Sequence, residues 1–201
     1  MRIATLVSCM VLTSALGCGD PLRDRRVELL GEEDANFPAD ERHRPGQPCT
    51  WCHNAYEGAK PEMSVGGTTF FQPPDPEEPP FIAGGFVVRL LDSDGKTINL
   101  QANACGNYWA TPDQFDPVYP MRTRILANVD GDLVVNVGMG TRIGREGSCG
   151  ACHTQQKTPF SPGPIIVNAP DPANPPFPPA ATDCPPPRFA PDMNARDFTF
   201  D

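Results

Sequence analysis

The run Gly85-Phe86-Val87-Val88-Arg89-Leu90-Leu91-Asp92-Ser93-Asp94-Gly95 reads as a β-strand delivered into a tight turn. Its branched and aromatic residues suit a pleated, half-buried surface, and its Asp-x-Asp-Gly ending is turn chemistry. The same signals recur on either side. Met63-Ser64-Val65-Gly66-Gly67-Thr68-Thr69-Phe70-Phe71 predicts a strand with a glycine kink. Thr97 to Asn103 and Asn107-Tyr108-Trp109-Ala110 continue the series, and Arg122 to Val137 divides around Asp130-Gly131, a strong hairpin signal. Short strands at this spacing predict a mainly β protein, an antiparallel β-sandwich over residues 63–140. No heptad, no apolar helical stripe longer than two turns and no duplicated domain is visible.

The order of Gly67-Thr68-Thr69-Phe70, then Val87 to Gly95, then Cys105-Gly106-Asn107-Tyr108 resembles the carboxypeptidase-regulatory-like (transthyretin-like) sandwich domain. In that family a "GTV" strand, a strand ending in "D-x-x-G" and a "G-x-F/Y" strand follow one another. The resemblance covers residues 64–137 and departs from the family's pattern in the Pro73 to Pro80 insertion and in the cysteine before Gly106.

Outside this body the chain is poor in regular structure. Pro and Gly make up 44 of 201 residues, and the prolines crowd into Pro73 to Pro80 and Pro159 to Pro191, where no helix or central strand persists. The N-terminus opens with Met1-Arg2 and an apolar run from Ile3 to Leu16. At fewer than the about 20 residues that a membrane span needs, this predicts a secretory signal, residues 1–17. Ala15-Leu16-Gly17-Cys18 resembles the lipobox of bacterial lipoproteins, with the leucine one place nearer the cysteine than usual, and this implies acylation of Cys18. Ordinary cleavage near Gly17 is the alternative. Residues 18–47 are charged and read as a solvated tether. The expected location is the periplasm or the outer-membrane surface of a Gram-negative bacterium, with the acyl chain as the membrane attachment. Removal of residues 1–17 leaves 15 Lys and Arg against 25 Asp and Glu, a formal charge of −10. Nucleic acid is disfavoured as a partner, and a basic or transient protein partner is favoured.

The chemistry lies in two pentapeptides, Cys49-Thr50-Trp51-Cys52-His53 and Cys149-Gly150-Ala151-Cys152-His153, within the flanking segments 48–62 and 141–167. Thiols three residues apart meet two vinyl groups of one porphyrin. In a single helical turn, positions i, i+3 and i+4 share a face, so the histidine that follows falls beneath the iron. Both pairs are followed at once by histidine, in a chain with only three. This predicts two covalent c-type haems on short helical segments, with Cys49, Cys52, Cys149 and Cys152 as thioether donors and His53 and His153 as proximal iron ligands. A four-thiolate zinc site or two redox disulfides would use the same cysteines and leave the histidines unexplained.

The candidates for sixth ligand are His43, Met63 and Met139, with Met121 and Met193 behind them. His43 reads equally as a solvated surface residue, and each methionine as packing. Trp51 suits either porphyrin stacking or apolar cover. Cys105 and Cys184 remain to form a disulfide in an oxidising compartment, or to stay as buried thiols. The stretch Gly147-Ser148-Cys149-Gly150-Ala151-Cys152-His153-Thr154, followed by Gly163-Pro164-Ile165-Ile166, is similar to the terminal haem-binding segment of exported bacterial proteins that carry a second CxxCH near the mature N-terminus and a β-domain between. That resemblance implies an electron-transfer lipoprotein rather than an enzyme. The competing expectations are a non-redox surface module stapled by zinc or disulfides at its cysteines, and a small haem peroxidase-like enzyme with an open axial position.

Overall fold

The computed structural model describes residues 21–56, 58–71, 81–82, 84–129, 132–167 and 183–190. Among these residues the chain is mainly β. It has two short helices, α1 (Pro21–Leu29) and α2 (Cys49–Cys52), and a 3-10 turn at Cys149–Ala151. The strands are β1 (Val65–Thr68), β2 (Phe70–Phe71), β3 (Phe81–Ile82), β4 (Val87–Leu91), β5 (Thr97–Gln101), β6 (Asn107–Ala110), β7 (Arg122–Val129), β8 (Asp132–Gly138) and β9 (Ile166–Val167).

Three sheets result. The largest is antiparallel, in the order β5-β4-β7-β8, with Leu90 opposite Ile98 on one side and Thr123 on the other. The β7–β8 register shifts between Ala127 and Asn128, next to the Asp130-Gly131 turn, which itself lies outside the described residues. A two-stranded ribbon pairs β1 with β6 antiparallel, Gly67 opposite Tyr108. The third sheet, β3-β2-β9, contains the one parallel pair of strands, Phe70 beside Ile166.

Burial follows the alternation expected of a half-covered sheet. Val88 and Leu90 of β4 point inward while Arg89 and Leu91 point out. The inner face (Val88, Leu90, Leu100, Ile125, Ala127) packs on Val65, Tyr108 and Ala110 of the ribbon, on Phe71 and Val167, and on the loop residues Phe86, Phe115 and Met121. Side chains as large and as buried as Phe86 and Phe115 stabilise by about 1.5–3 kcal/mol each. Met121, at 0% exposure, belongs to this core and to no site.

The segment read as a solvated tether is packed. Pro21 and Asp24 in the first turn and an Arg25–Glu28 ion pair of 2.7 Å favour α1, and Gly31, with φ at +72°, closes it. Arg44 then donates to the Gly31 carbonyl and the Gln47 side chain, each at 2.7 Å. Further on, the Gly46 amide donates to Thr68 Oγ1 at 2.8 Å, Thr68 Oγ1 donates to Asn107 Oδ1 at 2.8 Å, and Asn107 Nδ2 donates to the His43 carbonyl at 3.2 Å. A segment with few apolar residues is ordered here by buried polar bonds that composition does not reveal.

The C-terminal stretch 183–190 lies across this N-terminal segment. Cys184 is disulfide-bonded to Cys105, the Arg188 amide donates to the Pro45 carbonyl at 2.9 Å, and the Phe189 ring lies 5.2 Å from that of Phe70. The bridge closes a loop with a sequence separation of 79 residues. A Cys105→Ser/Cys184→Ser variant is expected to lose about 2–4 kcal/mol of stability, measured by guanidinium unfolding.

Candidate functional site

The two pentapeptides fold alike. In each, the histidine amide donates to the carbonyl of the first cysteine, His53 to Cys49 at 2.9 Å and His153 to Cys149 at 2.9 Å. The residue before each motif accepts in the same way, Pro48 from Trp51 at 3.2 Å and Ser148 from Ala151 at 3.1 Å. One turn of backbone therefore carries both thiols and the imidazole, and all four cysteines are free thiols.

The histidines are oriented alike as well. Nδ1 of His53 lies 2.8 Å from the Pro61 carbonyl oxygen, and Nδ1 of His153 lies 2.7 Å from that of Gly163. A carbonyl only accepts, so Nδ1 carries the proton and Nε2 of the neutral ring is left as a lone-pair donor. The loop that delivers Gly163 is pinned by Ser161 Oγ, which accepts from the Thr154 and Gly163 amides, both at 3.1 Å. Burial pushes the His153 pKa below its ordinary value, and the Gly163 hydrogen bond opposes this, so the ring is held in its ligating, neutral form.

The motifs are neighbours in space. The Gly66 amide donates to the Gly147 carbonyl at 3.0 Å, the Thr50 amide to Ser148 Oγ at 3.4 Å, and Thr50 Oγ1 to Glu146 Oε1 at 3.1 Å. β1 lies between the two turns. A Cβ on Gly66 would sit 2.9 Å from Cys49 Cβ, and one on Gly67 would sit 2.8 Å from Cys149 Cβ and 2.6 Å from the Tyr108 hydroxyl. Glycine in a strand interior often marks such a close approach.

The first turn borders a cleft with both cysteines and its histidine, whereas of the second turn His153 borders a cleft and Cys149 and Cys152 do not. The first cleft, of about 210 Å³, is lined by Cys49, Cys52, His53, His43, Met63 and Tyr108 among others. The second, of about 200 Å³, is lined by His153, Met139, Tyr108, Ile125, Val137 and Ile165 among others. The sixth-ligand candidates therefore distribute between the clefts, His43 and Met63 in the first and Met139 in the second. The His43 and His53 ring centres are 5.7 Å apart, tilted by 40°. The two imidazoles therefore stand beside one another in the same cleft, where both could serve as donors to one metal. His43 Nδ1 donates to the Asp40 carbonyl, so in the neutral ring Nε2 is the lone-pair donor. Both clefts are smaller than the about 300–1,000 Å³ that encloses a drug-sized ligand, so neither encloses a whole porphyrin.

Trp51 does not line the first cleft. It packs with Leu30 and Ala190 beneath the Arg26 guanidinium, 5.4 Å from its ring, and so serves as apolar cover. Cys18 lies outside the described residues, as does Met193. Among the described residues no helix is long and apolar enough to cross a membrane.

The thiol environment bears on the competing chemistries. Burial pushes Cys49 up to about 12 and Cys149 up to about 11, and raises Cys52 and Cys152 as well. Disulfide exchange needs the opposite, a thiolate stabilised by positive neighbours. Among the described residues no three His, Cys, Asp or Glu side chains are arranged to hold an ion.

Tyr108, Gly66 and Gly67 are the site residues that sequence reasoning missed. The glycine pair carried a signal, but it was read as a kink. Tyr108, 2% exposed, lines both clefts; nothing in its strand-like surroundings marks it out. No protein-family model, curated protein or solved structure matches this chain.

Gly67→Ala is expected to cost about 1–3 kcal/mol through overpacking against Tyr108 and Cys149. Gly144→Ala, where a Cβ meets nothing within 4 Å, is the control. Equal midpoints for the two variants in thermal unfolding would contradict the close packing of β1 on the second motif.

Proposed function

We propose that the chain is an exported protein with two covalently attached c-type haems that transfers electrons between protein partners. The observation that carries this reading is the matched pair of Cys-x-x-Cys-His turns, each with free thiols and with Nδ1 bonded to a backbone carbonyl, so that Nε2 is presented to a cleft.

Cys49, Cys52, Cys149 and Cys152 would form the thioethers, and His53 and His153 would be the proximal ligands. His43 is the preferred opposing donor in the first cleft, because its ring already stands 5.7 Å from His53. Met139 is the preferred donor in the second. Bound there, haem supplies a one-electron ferric/ferrous couple. The chain's own residues hold the imidazoles through carbonyl bonds at Nδ1 and place the two attachment turns side by side. If both His43 and His53 held the iron, no position would stay open for substrate, which would count against a peroxidase-like role at that site.

Export is supported by the Cys105–Cys184 disulfide, a bond that persists in oxidising compartments. An acyl anchor on Cys18 would hold the protein at a periplasmic or outer-membrane surface. The excess of acidic residues favours a basic partner over most of the surface.

The test is a pyridine haemochrome assay of protein made in a host with c-type maturation. Two haems per chain are expected, falling to one in Cys52→Ala and to one in Cys152→Ala; iron-free protein holding zinc would overturn the proposal. In the ferric electron paramagnetic resonance spectrum, His43→Ala is expected to turn one of two low-spin centres high-spin while Met63→Leu changes neither. The reverse result would transfer the ligand role to Met63.

A further inference from the structure

We infer that the outward face of the four-stranded sheet is a docking surface for an acidic protein, gripped by Arg89, Arg122, Arg124 and Arg142. Arg89 of β4 and Arg124 of β7 are directly opposite in register, and Arg122 is opposite Leu91. With Arg142 these side chains line a groove of about 400 Å³ that also takes in Leu91, Thr123 and Met139. Among the described residues none of the four forms an ion pair. Arg89 donates instead to Asn99 Oδ1 at 2.8 Å, and Arg124 to Asn136 Oδ1.

Those two bonds tie neighbouring strands, but among the described residues no carboxylate balances the guanidinium charges. Like charges facing each other across two strands destabilise a sheet, and a chain with 25 acidic residues had carboxylates to place beside them. What the groove offers is a set of desolvatable guanidinium groups around exposed apolar side chains, Leu91 at 36% and Met139 at 38% exposure. Arg and Met are enriched in interface centres, and guanidinium pairs with carboxylate bidentately. The net charge of −9 does not cancel this locally. Screening confines surface charge to about 8–10 Å at physiological salt, so a docked partner responds to the four arginines before the distant acids.

The groove is continuous with the second cleft. Thr123, Arg124, Gly138 and Met139 line both, the groove on the outer face of the sheet and the cleft on the inner face where His153 stands. A partner seated on the arginines therefore reaches the edge of that cleft. That it exchanges electrons there rests on the haem reading; the charge recognition does not.

The experiment uses the full, haem-loaded chain and a fluorescein-labelled deca-glutamate peptide, followed by anisotropy, with haem content measured on the same sample. Saturable binding that weakens with salt is expected, falling by about tenfold or more in Arg89→Glu/Arg124→Glu and in Arg122→Glu/Arg142→Glu. The second pair guards against misfolding of the first. Arg25→Glu/Lys157→Glu, with the same change in net charge, is expected to retain binding. An absence of peptide binding, or an equal loss in all three variants, would overturn the docking surface. Binding by protein that holds no haem would leave the surface standing and remove the redox role instead.

Discussion

Everything at the site depends on how closely backbone approaches backbone at Gly66 and Gly67. β1 is buried along its whole length, and it is hydrogen-bonded on one edge to β6 and bridged on the other to Ser148. A side chain at either glycine would occupy the space taken by a cysteine of one motif. Two turns about a hundred residues apart in sequence are thus held against one strand, and Tyr108, opposite Gly67, fills the space between their clefts. Hydrophobic burial could assemble this sheet in several ways. Contact with both cysteine turns at once requires two consecutive positions without a Cβ.

The second constraint is polar. Thr68 and Asn107, paired in register across the ribbon, are 4% and 7% exposed. Buried groups of this kind cost about 1–3 kcal/mol each if left unpaired. Their partners are the Gly46 amide and the Glu41 and His43 carbonyls, so the segment that carries His43 satisfies the ribbon's buried groups and is positioned by them. The same bonds that order the N-terminal segment bring His43 opposite His53. The strap of residues 183–190, fixed through Cys184 and Arg188, then closes over it.

Much of this was legible in the sequence, for reasons that differ from element to element. β4, β5, β6, β7 and β8 lie where alternation and turn residues put them, because a half-covered sheet obeys a period of two. The local form of each Cys-x-x-Cys-His turn followed from its spacing, because one turn of backbone closes within the motif. The N-terminal segment was misread because its order comes from single hydrogen bonds between residues tens of positions apart, such as Gly46 with Thr68. Helix α1 did carry signals, Pro21 at its start and Gly31 after its end, and the charged composition outweighed them. The parallel pairing of Phe70 with Ile166 was not legible at all, since it arises only once the second motif docks beside β1. The proximity of the two motifs is of the same kind, a consequence of tertiary packing.

The two turns match, but what opposes them does not. On the first side the opposing residue is an imidazole on a loop fixed by buried bonds to the ribbon. The second cleft offers a thioether, Met139, at 38% exposure on the edge of the sheet. Thioether donation and imidazole donation tune an iron centre differently, a histidine/methionine pair holding the higher potential. Under the proposed function, His43 as ligand would make the first site the lower-potential one and Met139 as ligand would make the second the higher. Met139 also borders the arginine groove. The asymmetry rests on a buried network that fixes His43 on one side and on an open sheet edge lined by arginines on the other.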